Sequence, residues 1–149
     1  MTVEAENIRI RELEGADADD VAGIYSSIVR KPVDVDFKVL IEKQAPSQNE
    51  ICLVAELNGR VIGFMISYIH PLGFGIEKSA WIATLGVQPE FMGHGVGNLL
   101  AQETFDRYRR MGIRRVYTSV RWDSTDLLSF FKNQGFDRSK FINLKKNME

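Results

Sequence analysis

One cysteine, two histidines and four prolines are all that the 149 residues hold of those types. A lone Cys52 excludes an intrachain disulfide framework, a CxxC redox pair and a cysteine-built zinc cluster. His70 and His94 stand too far apart in sequence for a metal-ligand motif, so no metal is expected. No apolar run reaches the roughly eighteen residues that a membrane span needs. Met1 to Arg11 lacks the apolar centre of a secretory leader. An excess of charge of either sign is missing as well. Nineteen Lys and Arg against twenty Asp and Glu leave a net charge of −1, which argues against a strongly basic nucleic-acid binder. No internal repeat, low-complexity tract or long linker divides the chain. The remainder is an ordinary globular mix, 44% apolar and 26% charged. Its length suits one folded domain over residues 1–149 with a proper core. A cytoplasmic protein with no nucleic-acid and no membrane partner is the expectation.

The apolar pattern supplies the elements. Ile8 to Leu13 alternates apolar and charged residues and predicts a first strand. Asp17, Asp19 and Asp20 put negative charge at a helix start, and Val21, Ile24, Tyr25 and Ile28 then share one helical face. Asp34 is placed to cap a short second helix carrying Phe37, Leu40 and Ile41, followed by a loop over Ala45 to Asn49. Ile51–Leu57 and Val61–Ile69 flank Asn58-Gly59, the strongest hairpin signal in the chain. A glycine-containing loop, Pro71 to Gly75, leads to a strand over Ser79 to Val87. Val96 to Met111 predicts a helix with Arg107, Arg109 and Arg110 in its last turns and Gly112 after its end. Arg115 to Val120 predicts a strand. A helix capped by Asp123 or Ser124 runs to about Gln134, and Phe141 to Lys145 alternates as a closing strand. The order β-α-α-β-β-β-α-β-α-β makes this a mixed α/β (α+β) fold, a mixed central sheet flanked by helices, rather than a doubly wound sheet.

The informative segment is Leu85-Gly86-Val87 followed by Met92-Gly93-His94-Gly95-Val96-Gly97-Asn98. A strand ends, a turn follows, and three alternate glycines open a helix. Glycine lets backbone approach a ligand closely, and a helix start offers unpaired N–H groups with a positive dipole end, which suits a phosphate. The Walker pattern is excluded because Gly97-Asn98-Leu99 stands where Gly-Lys-Ser/Thr is required. The glycine spacing also departs from a dinucleotide fingerprint. The plain alternative is a turn that needs glycine only for tight strand-to-helix packing.

Here the chain resembles the GCN5-related N-acetyltransferases. Val87-Gln88-Pro89 and Met92-Gly93-His94-Gly95-Val96-Gly97 match that family's strand end and its (Gln/Arg)-x-x-Gly-x-(Gly/Ala) turn, with Met92 in place of the Gln or Arg. Ser124 to Phe136 resembles its second motif, with Phe131 where a tyrosine is usual. The resemblance implies an acetyl-CoA-dependent N-acetyltransferase that transfers the acetyl group directly from coenzyme A to a primary amine of a small molecule or protein. It implies that Leu85, Gly86, Val87, Met92, Gly93, His94, Gly95, Val96, Gly97, Asn98 and Phe131 hold the cofactor, wedged between the strand ending at Val87 and the one ending near Val120. The backbone N–H near Val87 would polarise the thioester carbonyl.

The same resemblance leaves two chemical gaps. Many relatives carry a carboxylate on the strand before the glycine turn, but Ser79-Ala80-Trp81-Ile82-Ala83-Thr84 has none. Asp123 is the candidate base, set against the simpler role of a helix cap, and water, Ser124 or Tyr117 is a candidate proton donor in place of the missing tyrosine. The rival reading is an acyl-CoA-binding or sensing module with little catalysis. Cys52, within an apolar run, reads as a buried structural thiol. Trp81 and Trp122 read as core residues or an acceptor lining, and Tyr25 and Arg30 as acceptor-side candidates. A homodimer is among the assemblies such a small chain would use.

Overall fold

The computed structural model describes residues 7–29, 50–70 and 77–148. The chain falls into two compact units, Met1–Tyr117 and Thr118–Glu149. The elements are β1 (Ile8–Glu12), a 3-10 turn (Gly15–Asp17), α1 (Ala18–Val29), β2 (Cys52–Leu57), β3 (Arg60–His70), β4 (Ser79–Val87), a 3-10 turn (Pro89–Phe91), α2 (Val96–Arg110), β5 (Val116–Thr118) and α3 (Thr125–Asn133). The sheet is mixed and five-stranded, with its strands in the order of the chain. The expected second helix (Asp34 to Ile41), the loops Ala45–Asn49 and Pro71–Gly75, and Arg30 lie outside the described residues.

In the first unit the β2–β3 hairpin turns on Asn58 (φ 52°) and Gly59 (φ 80°). Two successive left-handed residues give a type I′ turn, whose twist matches that of the strands it joins. β3 then pairs antiparallel with β4, Gly63 opposite Val87 and Met65 opposite Leu85. Between Ile66 and Ser67 the register slips: Ile66 faces Thr84, but Ser67 faces Ile82. Ala83 is therefore an extra residue, a β-bulge, and side chains beyond it change face.

Helices cover both faces of the sheet. Val21 and Ile24 of α1 pack with Cys52, Val54, Phe64 and Ile66. On the other side α2 buries Leu100, Ala101, Thr104, Phe105 and Tyr108, each large apolar side chain contributing about 1.5–3 kcal/mol. Gly63 makes the close approach of α2 possible: a Cβ there would stand 2.9 Å from Val96 Cγ1 and 3.3 Å from Leu100 Cδ1. Gly86 does the same for α1, since its Cβ would meet Ile28 Cδ1 at 2.7 Å and Phe64 Cε1 at 2.8 Å. A polar link crosses this core: Ser67 Oγ donates to Ile51 O (2.5 Å) and shares a hydrogen bond with Tyr108 OH (2.7 Å). At the edge, Arg11 grips Asp17 through both Nη atoms (2.8 Å each) and Glu56 through Nε (2.6 Å). That grip ties β1 to the entry of α1.

The second unit holds α3 and the tail. Phe131 is buried and packs edge-on against Phe130 (5.2 Å) and Phe136 (5.0 Å). Gly135 (φ 93°) ends the helix, and the Phe136 N–H closes on Phe131 O at 3.0 Å.

Three expectations are corrected. Residues 141–145 form no strand, because Ile142 and Leu144 stand 83% and 88% exposed, and a strand needs a partner to cover its apolar face. The tail instead offers Asn143 Nδ2 to Ser119 Oγ at 2.9 Å. β5 stops at Thr118 rather than Val120. Trp122 is outside any core, at 89% exposure.

Candidate functional site

The segment from Leu85 to Asn98 is one continuous strand–turn–helix of the first unit. The turn is pinned from below. The buried Phe91 ring carries the Arg60 guanidinium 5.8 Å above it, and Arg60 Nη2 donates to Gln88 Oε1 (2.9 Å) and Glu90 Oε1 (2.8 Å). Val96 is buried and anchors the helix start, whereas Met92, Gly93, His94 and Gly95 are exposed.

Gly93 (φ 83°) and Gly95 (φ 82°) are both left-handed, and a Cβ on either would meet nothing within 4 Å. These two glycines are thus required by backbone conformation and not by crowding, which removes the tight-packing explanation for this pair. Alternate left-handed residues at a helix start turn successive N–H groups toward one concavity. Gly95 caps α2 without a side-chain bond, and no acidic residue occupies the helix's first turn, while Arg107, Arg109 and Arg110 fill its last. The positive dipole end is left uncompensated and open, the condition for holding an anion. The residues present fit a pyrophosphate.

β4 supplies the second half. The Gln88 N–H is bonded to Ile62 O at 2.8 Å, toward β3. Strand N–H groups alternate in direction, so those of Leu85 and Val87 point to the opposite edge. On that edge lies β5, joined through Ala80 N–H to Arg115 O at 3.0 Å. β5 has three residues against nine in β4, so it flanks the opening of β4 and leaves the Leu85–Val87 edge available for strand-like pairing with an amide-bearing arm.

The structure thus brings together Leu85, Gly86, Val87, Met92, Gly93, His94, Gly95, Val96, Gly97 and Asn98. Asp123, Ser124 and Phe131 belong to the second unit. Asp123 is fully exposed and held by Arg121, Nε to Oδ1 at 3.0 Å and Nη2 to Oδ2 at 2.9 Å. Those charge-assisted bonds keep its carboxyl below the usual carboxylate range. Ser124 occupies the cap position of α3 without a side-chain capping bond. Cys52 is buried, and desolvation pushes its thiol up to about 11, far from a nucleophile's thiolate.

Sequence reading treated His70, Trp81 and Tyr117 singly. The register brings them together: Trp81 stacks on Tyr117 (5.2 Å, 23°) and meets the His70 ring edge-on (6.1 Å, 81°). The signal that would have found the group is strand register, which the bulge at Ala83 conceals.

Comparison with known proteins follows from this geometry. A family profile described as "Acetyltransferase (GNAT) family" matches residues 19–136. Among solved structures the chain is similar to the aminoglycoside acetyltransferase meta-AAC0020 from an uncultured soil metagenomic sample, in complex with sisomicin, at a TM-score of 0.81 and 17% identity over 97% of this chain and 98% of that one. It is similar to the aminoglycoside N-acetyltransferase AAC(6')-Iy in complex with CoA, at 0.82 and 16% identity over 99% of both chains. A ribosomal-protein-alanine N-acetyltransferase from Brucella melitensis biovar Abortus 2308 matches at 0.76 and 15% identity, over 95% of this chain and 99% of that one. At such identities the likeness is one of fold.

Proposed function

The chain belongs to the acetyltransferase (GNAT) family and is an acetyl-CoA-dependent N-acetyltransferase, and from that premise we propose how its residues divide the work. The turn from Met92 to Asn98 holds the pyrophosphate, and Leu85 and Val87 pair with the pantetheine arm through their outward N–H groups. The observation that carries the reading is the pair of left-handed, uncrowded glycines at a helix start without acidic compensation. Gly86 takes part through its lack of a side chain, which keeps α1 and Phe64 close beneath the site.

Acetyl-coenzyme A supplies the acyl group as an activated thioester. The Val87 N–H stabilises the oxygen that gains charge as the carbonyl carbon becomes tetrahedral. The amine must lose a proton to attack. Asp123 joins the proposal on the sequence resemblance. With Arg121 depressing its pKa, it serves as a fixed negative charge that orients the ammonium, and water carries the proton away. Ser124 joins on the same basis, as a hydroxyl able to pass a proton. Phe131 joins as an apolar neighbour of the cofactor's thiol end. Lacking a hydroxyl, it has no proton to give, and a thiol pKa of about 8.5 makes the thiolate a tolerable leaving group without one.

The acceptor is a primary amine of a small molecule or protein; the structures of similar fold include an aminoglycoside N-acetyltransferase and a ribosomal-protein-alanine N-acetyltransferase. One acetyltransferase domain spanning residues 1–149, a cytoplasmic setting and a homodimer complete the proposal. No helix among the described residues is long and apolar enough to cross a membrane.

Thermal unfolding with acetyl-CoA, NAD or ATP tests this. Acetyl-CoA alone stabilises, by about 2.7 kcal/mol at a hundredfold excess over Kd, and no shift at millimolar acetyl-CoA rejects the reading. The second reading, a sensor that binds acyl-CoA without turnover, is favoured by the hydroxyl-free Phe131 and the acid-free β4. Release of free thiol over an amine panel separates the two.

A further inference from the structure

Between Lys78 and Gln102 the chain carries one acid, Glu90. It lies in the Pro89–Phe91 3-10 turn, where a negative charge favours the N-terminal end. Gly93 follows three residues later, so the two Cα atoms are at most about 11 Å apart. That reach is comparable to the Debye length of about 8–10 Å at ordinary salt. A bare carboxylate at Glu90 would therefore oppose an anion held by Met92–Asn98. The carboxylate is not bare. Arg60, at the start of β3, places Nη2 2.8 Å from Glu90 Oε1 and 2.9 Å from Gln88 Oε1. Its guanidinium also lies 5.8 Å above the buried Phe91 ring. That stacking fixes the pair in place although both side chains are more than half exposed.

The shape of the turn does not require Arg60. Main-chain bonds already form it: Gln88 N–H to Ile62 O at 2.8 Å, Phe91 N–H to Gln88 O at 2.9 Å and Met92 N–H to Pro89 O at 3.3 Å. What the Arg60 side chain adds is chiefly charge. We propose that Arg60 is a positioning residue for the acyl donor. It holds Glu90, keeps the approach to the glycine turn free of uncompensated negative charge, and thereby sets the affinity for the anionic coenzyme. The first turn of α2 has no acid, so with Glu90 offset the whole segment from the end of β4 into α2 carries no net negative charge. Arg60 acts through Glu90 and not by touching phosphate. An exposed ion pair stabilises a fold only slightly, so its loss leaves the chain folded and its effect is read in the ligand. This inference rests on the proposed placement of the pyrophosphate.

Calorimetric titration of coenzyme A at low salt tests it on the wild type, Arg60→Ala, Glu90→Gln and the double variant. Arg60→Ala is expected to raise Kd about threefold to fivefold, the reach of a partly screened charge. Glu90→Gln alone does not raise it. The double variant is expected to bind as the wild type does. The charge that Arg60 offsets is then gone, although the contacts with Gln88 and Phe91 stay missing. In 1 M salt, where the Debye length is about 3 Å, Arg60→Ala and the wild type should bind alike. Arg60→Gln, which also lacks the charge, should match Arg60→Ala and takes its place if that chain folds poorly. An unchanged Kd in Arg60→Ala, a double variant as weak as Arg60→Ala, or a defect that salt does not shrink overturns the proposal. Any of these beside normal binding by the wild type rejects this inference alone, whereas no binding by the wild type rejects the cradle beneath it.

Discussion

Gly93 and Gly95 have left-handed backbones with open space where a Cβ would stand, whereas Gly63 and Gly86 have ordinary backbones and crowded surroundings. The two pairs answer differently to substitution. Gly95→Ala folds with a loss of about 1–2 kcal/mol, the strain of a left-handed alanine. Gly95→Glu adds to this a negative charge at the mouth of the cradle. It is expected to abolish the acetyl-CoA thermal shift in a chain whose circular dichroism is native; a retained shift would refute the cradle. Cys52 gives a second prediction at this scale. Buried and raised to about 11, its thiol should resist a disulfide reagent in the native protein and react once the chain is denatured. With no reactive thiol to carry the acyl group, direct transfer is expected, and no acetyl label should be found on the protein incubated with acetyl-CoA before amine is added.

At the scale of elements, the Arg11–Asp17 grip fastens β1 to the entry of α1. Arg11→Ala strands a nearly buried carboxylate and is expected to cost on the order of 3 kcal/mol in chemical denaturation. The Asp17 carboxyl is held below its usual range chiefly by the Arg11 hydrogen bonds. A depressed folded-state pKa stabilises fully above the unfolded value of about 3.9 and is lost as pH falls through the lower folded one. The wild type should therefore lose stability on acidification below about pH 4 more steeply than Asp17→Asn. Gly63→Val makes a different point. It lies outside the cradle, yet its side chain would press on Val96 and Leu100, shifting the first turn of α2. It is expected to lower stability by about 1–3 kcal/mol, as overpacking does, and to weaken coenzyme A binding as well; unaltered binding would show the helix start to be independent of the sheet. The elements legible in the sequence were those whose ends are written in special residues. Asn58-Gly59 and the glycines 112 and 135 take positive φ where the pattern placed turns or helix ends. The bulge at Ala83 was not legible, because Trp81-Ile82-Ala83-Thr84 has no glycine, proline or break in its apolar run. The closing strand was over-read, since alternation at Phe141–Lys145 records a capacity to pair and not the presence of a partner.

For the whole molecule, a net charge of −1 hides local order. The arginines that end α2 are engaged by nearby acids, Arg107 with Glu103 and Glu12, Arg109 with Asp106 and Arg110 with Glu103. They make a solvated face whose charge is offset by those acids. The glycine turn was visible in the sequence because backbone conformation is encoded by glycine. The extra residue at Ala83 has one more consequence, for descent and for engineering. Losing a single codon there would leave the hairpins, helices and glycine turn in place yet rotate Trp81 and Ser79 to the other face of the sheet. Variation in length at this position would thus change which side chains of β4 face α1 while keeping the glycine turn unaltered.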